Sequence, residues 1–271
     1  MTGRLFAISD LHIGYAENRA FVEALQPADP ADWLIVAGDV GEMFADVSWA
    51  LATLASRFER VIWTPGNHEL WTPAADPVQL RGVRRYEALV TVCRKFDVVT
   101  PEDPFPVWRG EDGPVAVVPL FQLYDYSWRP DGAATADEAL RIARAAGVVC
   151  TDEFLLHPDP YPTRSAWCHA RVAAAEERLL ALDMPAVLVS HWPLRREPTR
   201  ALWHQEFAPW CGTSLTEDWH RRHDVVAAVY GHLHIPRTTW ADGVRFEEVS
   251  VGYPREWSRR GPAPPGPRVI L

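Results

Sequence analysis

Six apolar runs mark this chain, and five of them give way, at their C-terminal ends, to a short cluster of Asp, Asn, Ser, His and Gly. That repeated junction restricts the chain to folds whose strands deliver their ends to one edge. The runs have the length and composition of buried strands: Leu5 to Ser9, Trp33 to Ala37, Val61 to Thr64, Val115 to Leu120, Ala186 to Ser190 and Val225 to Tyr230. Between them, helical spacing is expected over Arg19 to Leu25, Ser48 to Phe58, Val83 to Phe96, Ala136 to Ala146, Ala166 to Leu182 and Leu215 to His223. Strands alternating with helices predict a mixed α/β fold with covered sheet faces. Near the end, Arg237 to Trp240 and Val244 to Val251 flank Asp242-Gly243, a two-residue hairpin signal and hence an antiparallel finish.

With 271 residues, 48% apolar and 23% charged, the composition is that of one large globular domain. It is expected to span residues 1–257, with an aromatic, Asp- and Pro-rich insertion over the site at about 121–162 and a Pro-rich tail at 258–271. The four cysteines, Cys93, Cys150, Cys168 and Cys211, form no C-x-x-C pair, which fits reduced thiols. No run approaches the ~20 apolar residues of a membrane span, and no signal peptide precedes Leu5, so a cytoplasmic location is expected. A net charge of -9 disfavours a long nucleic acid as partner, because such binding is driven by a positive face. Lys95 is the only lysine, a bias that carries no functional weight by itself. Neither G-x-x-x-x-G-K nor G-x-S-x-G occurs, which disfavours P-loop and serine-hydrolase chemistry.

The junction motifs are Asp10-Leu11-His12, Gly38-Asp39, Gly66-Asn67-His68-Glu69, Ser190-His191 and Gly231-His232-Leu233-His234, and they hold half of the ten histidines. Strand C-terminal ends are where α/β sheets gather ligands. Oxygen and imidazole donors without thiolate suit Mn, Fe or Zn, and seven candidate donors exceed the positions of one ion, so two are implied. The remaining histidines, His157, His169, His204, His220 and His223, lie outside the motifs and carry no assigned role.

In this order the motifs resemble the signature of the calcineurin-like metallophosphoesterases, over Asp10 to His234. The resemblance implies two mixed β-sheets packed as a sandwich and flanked by helices in four layers, where the strand pattern alone stops at mixed α/β. It implies that Asp10, His12 and His234 hold one metal ion, that Asn67, His191 and His232 hold the other, and that Asp39 bridges them. It further implies hydrolysis of a phosphoester by a metal-bridging hydroxide. His68 is then the catalytic residue that meets the phosphate or protonates the leaving oxygen. Glu42 and Glu69 are both open as its orienting partner, and Glu42 stands where the family often has Asp.

Arg195, Arg196 and Arg237 follow ligand motifs closely and are candidates for a second anionic group, with surface ion pairing as the alternative. The stretch from His191 to Trp257 is similar to an actinobacterial subgroup that includes hydrolases of the 4′-phosphopantetheinyl-serine phosphodiester of carrier proteins. An acyl or peptidyl carrier protein is therefore the candidate substrate. A nucleotide or small-molecule phosphodiesterase or phosphomonoesterase is the alternative, and a noncatalytic metal-binding module a remote one.

Overall fold

A computed structural model describes residues 3–110 and 113–271. The first half runs β1 (Leu5–Ile8), α1 (Ala16–Ala24), β2 (Trp33–Val36), α2 (Phe44–Ala55), β3 (Arg60–Trp63), α3 (Asn67–Leu70), α4 (Gly82–Lys95), β4 (Val107–Gly110) and β5 (Gly113–Pro119). The second half runs α5 (Ala136–Ala145), α6 (Asp152–Leu155), α7 (Arg164–Leu180), β6 (Ala186–Val189), α8 (Trp219–Arg222), β7 (Val225–Tyr230), β8 (Arg237–Ala241), β9 (Val244–Glu248), α9 (Pro254–Trp257) and β10 (Arg268–Val269). One sheet has the order β10-β1-β2-β3 and the other β4-β5-β6-β7-β9-β8. The central strands of both are parallel, whereas β10, β4 and β8 pair antiparallel at the edges.

Two-residue alternation sorts each strand between two cores. Leu5, Ala7, Ile35, Ala37 and Ile62 of the first sheet meet Val115, Val117, Val187, Val189, Ala227 and Val229 of the second in the layer between the sheets. Their neighbours Ile8, Leu34, Val36, Trp63, Val118, Leu188 and Tyr230 face outward under helices. Both faces are thus buried, which is why the strands read as unbroken apolar runs. The covering helices contribute stripes at helical spacing, such as Val47, Ala50, Leu51 and Leu54 of α2 and Tyr86, Leu89, Val90 and Cys93 of α4. The result is the sandwich of two mixed sheets between helical layers.

Several boundaries differ from expectation for local reasons. α2 starts at Phe44 rather than Ser48, because the Phe44 backbone N–H donates to Asp76 Oδ2 at 2.9 Å, a cap that lies 32 residues along the chain. The helix expected over Leu215 to His223 is instead a 3-10 turn at Ser214–Thr216 and the single turn α8. Thr213 accepts from Leu215 N and the Thr216 hydroxyl bonds to the Leu194 carbonyl, so side chains take backbone partners that a continuous helix needs. The expected tail ends in β10, which pairs Phe6 with Val269 and Ala7 with Arg268, and Ile270 enters the layer between the sheets. No helix among the described residues is long and apolar enough to cross a membrane.

Candidate metal centre

The loops after β1, β2, β3, β6 and β7 bring Asp10, His12, Asp39, Asn67, His68, His191, His232 and His234 into one buried cluster at the C-terminal edges of both sheets. A parallel bridge between Ser9 and Ser250 joins the two sheets beside it. The backbone is bent for this purpose. Asp10, His12, Asp39, His232 and His234 have φ of 53°, 41°, 53°, 70° and 57°, and each such residue costs about 1–2 kcal/mol. Gly66 and Gly231 serve by lacking a side chain: a Cβ on Gly66 would strike Asp39 Oδ1, and one on Gly231 would strike Asp10 Oδ2 and Ser9 Oγ. Neither has a left-handed φ, so their contribution is room for the carboxylates rather than a tight turn.

Two groups of acceptor atoms converge. His234 Nε2 lies 3.0 Å from Asp10 Oδ1 and 3.1 Å from His12 Nε2, which is 4.0 Å from Asp39 Oδ2. His191 Nε2 lies 3.1 Å from Asn67 Oδ1, 3.1 Å from His232 Nδ1 and 3.4 Å from Asp39 Oδ2. Asp39 therefore stands between the groups. Outer partners settle which atoms point inward: His191 Nδ1 meets the Ala37 carbonyl at 3.0 Å and His234 Nδ1 meets Glu256 Oε2 at 2.6 Å, leaving both Nε2 atoms facing the cluster. Asn67 Nδ2 donates to Asp152 Oδ1 at 3.0 Å, which turns its carbonyl oxygen inward. Oxygen and imidazole nitrogen atoms aimed at common points fit a cation at each.

The electrostatics agree. Burial lowers His12 and His191 to about 4, so both stay neutral imidazoles, the form that binds metal. Burial, with Glu69 and Asp10 nearby, holds Asp39 well above the usual carboxylate range, the mark of an anion lacking a positive neighbour. Burial opposes charge on His234, but Asp10 and Glu256 on its two nitrogens outweigh it and push its pKa up to about 10, so a metal ion at this position would have to displace a proton from Nε2. Among the described residues, Asp10, His12 and His234 and also Asp10, Asp39 and His191 place ligand atoms within 4.8 Å of one another. The chain thus carries side-chain groups able to hold metal ions.

A family profile described as calcineurin-like phosphoesterase matches residues 3–236. The chain belongs to the calcineurin-like phosphoesterases. A relative from Mycobacterium tuberculosis (strain ATCC 25618 / H37Rv), named [acyl-carrier-protein] phosphodiesterase PptH, is 59% identical over 260 residues, covering 95% of this chain and 80% of that protein. The crystal structure of phosphopantetheinyl hydrolase (PptH) from Mycobacterium tuberculosis matches with a TM-score of 0.97 and 57% identity, covering 100% of this chain and 96% of that one.

His68 of this phosphoesterase lies against the cluster, with Nε2 3.7 Å from Asp39 Oδ2 and Nδ1 2.9 Å from Glu42 Oε1. Glu42, rather than Glu69, is thereby the hydrogen-bond partner of His68. Burial raises the Glu42 carboxyl, but the neighbouring His12 and His68 outweigh this and hold it well below the usual range. Glu69 accepts instead from the backbone N–H groups of Asp39, Val40 and Gly66, each at 3.0 Å, and so fixes two ligand loops to each other. The indole of Trp71 covers His68 with ring centroids 3.7 Å apart, and Tyr253 stacks on His12 at 4.4 Å.

Sequence reading missed the outer partners Asp152, Glu256, Ser9 and Ser250, the two serines bonding Asp10 Oδ2 at 2.5 and 2.7 Å. Only Glu256 had a local signal, at the third position of α9 after Pro254. The three arginines stand apart from the cluster in their bonding. Arg195 pairs with Glu197 at 2.6 Å, Arg196 donates to the Arg129 carbonyl at 2.5 Å and Arg237 to the Pro198 carbonyl at 3.0 Å. Arg195 and Arg237 line one surface cavity of about 200 Å³, and Arg196 lines another of about 600 Å³ with Trp128, Arg200 and Gln205.

Proposed function

We propose that this phosphoesterase hydrolyses the 4′-phosphopantetheinyl-serine phosphodiester of acyl carrier proteins, acting in the cytoplasm with two metal ions, manganese or iron foremost. The observation that carries the substrate is the 59% identity to a protein named as an acyl-carrier-protein phosphodiesterase. The converging acceptor atoms support the metal sites. Asp10, His12 and His234 would hold one ion, Asn67, His191 and His232 the other, and Asp39 both. Bound there, the ions supply Lewis-acid charge that acidifies a water and offsets the negative charge growing on the phosphate oxygens.

The chain's own residues do the rest. His68 would pass a proton from Nε2 to the departing serine oxygen; burial lowers its pKa, and Glu42 on Nδ1 offsets part of that. Trp71 and Tyr253 shield the two faces of the histidine group from water. Arg195, Arg196 and Arg237, lying outside the cluster, are assigned to the acidic carrier surface, where rim charges set encounter and orientation.

The test is the intact mass of a holo acyl carrier protein incubated with manganese-loaded enzyme, with Asp39→Asn as the blank. Loss of the phosphopantetheine mass with active enzyme alone is expected. An unchanged carrier, in a preparation that turns over an aryl phosphodiester, overturns the substrate and directs the search to nucleotides and small phosphoesters.

A further inference from the structure

We infer that Asp152, supplied by the insertion, is a positioning residue that sets the amide orientation of Asn67, and that the second metal site depends on it. The inference rests on the reading of Asn67 as a ligand. Asp152 opens α6 and is fully buried, far in sequence from every junction motif. Its Oδ1 accepts from Asn67 Nδ2 at 3.0 Å and from Trp71 Nε1 at 2.6 Å.

Donors and acceptors decide the orientation of the Asn67 amide. An asparagine amide has nearly the same shape in its two flipped orientations, so packing alone does not choose between them. With Oδ1 inward, Asn67 offers a lone pair beside His191 Nε2, and its NH₂ meets the Asp152 carboxylate. Flipped, it would turn NH₂ toward the cation and set its carbonyl against Asp152, leaving acceptor facing acceptor in a buried site. The carboxylate therefore excludes the orientation that cannot ligate.

The same oxygen also holds Trp71, whose ring covers His68, so one carboxylate spans a ligand and the catalytic histidine's neighbour. Asp152 is itself held firmly. Arg164 at the start of α7 donates to the carbonyls of Asp152 and Leu156 at 2.6 and 2.9 Å and to Glu153 Oε2 at 3.3 Å. Thr72 N donates to the Leu155 carbonyl at 3.0 Å, and Trp71 bridges antiparallel to Leu156. The insertion is thus fastened to the chain that carries Asn67, His68 and Trp71.

The experiment titrates manganese into chelator-stripped full-length enzyme and reads ions bound per chain and the affinity of the weaker site, with folding checked by circular dichroism. Asn67→Leu is the reference for the ligand itself, and its keeping both sites unchanged would overturn the ligand assignment. Asp152→Leu, of similar shape without hydrogen bonds, is expected to weaken the second site about 10- to 100-fold and leave the first intact. Reciprocal exchange separates positioning from general structure. Asn67→Asp alone sets two carboxylates against each other and is expected to lose the second site. Adding Asp152→Asn restores a donor to that contact and is expected to recover it. If Asn67→Leu loses the second ion while Asp152→Leu keeps it, the positioning role of Asp152 is overturned. Should Asp152→Leu fail to fold, absence of recovery in the exchanged pair overturns it instead.

Discussion

Asp39 and His68 lie 3.7 Å apart, yet their surroundings assign them different work. Asp39 faces both groups of acceptors, so Asp39→Asn is expected to lower metal content, read by elemental analysis, and to abolish turnover. His68 touches the cluster only at its edge and leans on Glu42, so His68→Ala is expected to keep its metal while losing about 10²- to 10⁴-fold in kcat. Equal metal loss in the two variants would remove the role given to His68. Gly231→Ala introduces a Cβ against Asp10 and Ser9 and is expected to cost about 1–3 kcal/mol of stability together with metal at the first site, measured by thermal melting and elemental analysis. At this scale the ligands were legible because each follows an apolar run directly. Their outer partners were not, since Asp152 stands 85 residues from Asn67 and Ser250 stands 240 from Asp10.

Between the elements, the ion pair of Arg85 and Asp76 is buried on both sides. Arg85, fully buried on α4, donates to Asp76 Oδ2 at 2.9 Å and to the carbonyls of Glu69, Val78 and Glu42 at 2.6, 3.1 and 2.9 Å. It ties α4 to the loops that carry His68 and its partner Glu42. Arg85→Met leaves Asp76 as a buried charge without its partner, and a loss of about 3–5 kcal/mol is expected, or roughly 10 °C in Tm, checked by calorimetry. Strands were legible because period-two packing between two cores makes them apolar throughout. The helix expected at Leu215 to His223 was not resolved into two turns by sequence, because the hydroxyl bonds of Thr213 and Thr216 compete locally with helix bonds. The closing strand β10 lay hidden behind a Pro-rich segment, although its pairing depends on only a few residues beside β1.

For the whole molecule, two sheets meeting at one edge place a set of buried carboxylates and imidazoles where only cations balance them. Folding and metal binding are therefore linked: manganese at 100 times its Kd should raise stability by about 2.7 kcal/mol per site, and a chelator should lower Tm accordingly. The division of ligands between two ions is the claim on which the proposed reaction depends, and anomalous scattering from manganese-loaded crystals tests it most directly. Two peaks are predicted, one bounded by Asp10, His12 and His234, the other by Asn67, His191 and His232, with Asp39 touching both. A single peak, or one held by His12, Glu42 and His68, would contradict the account.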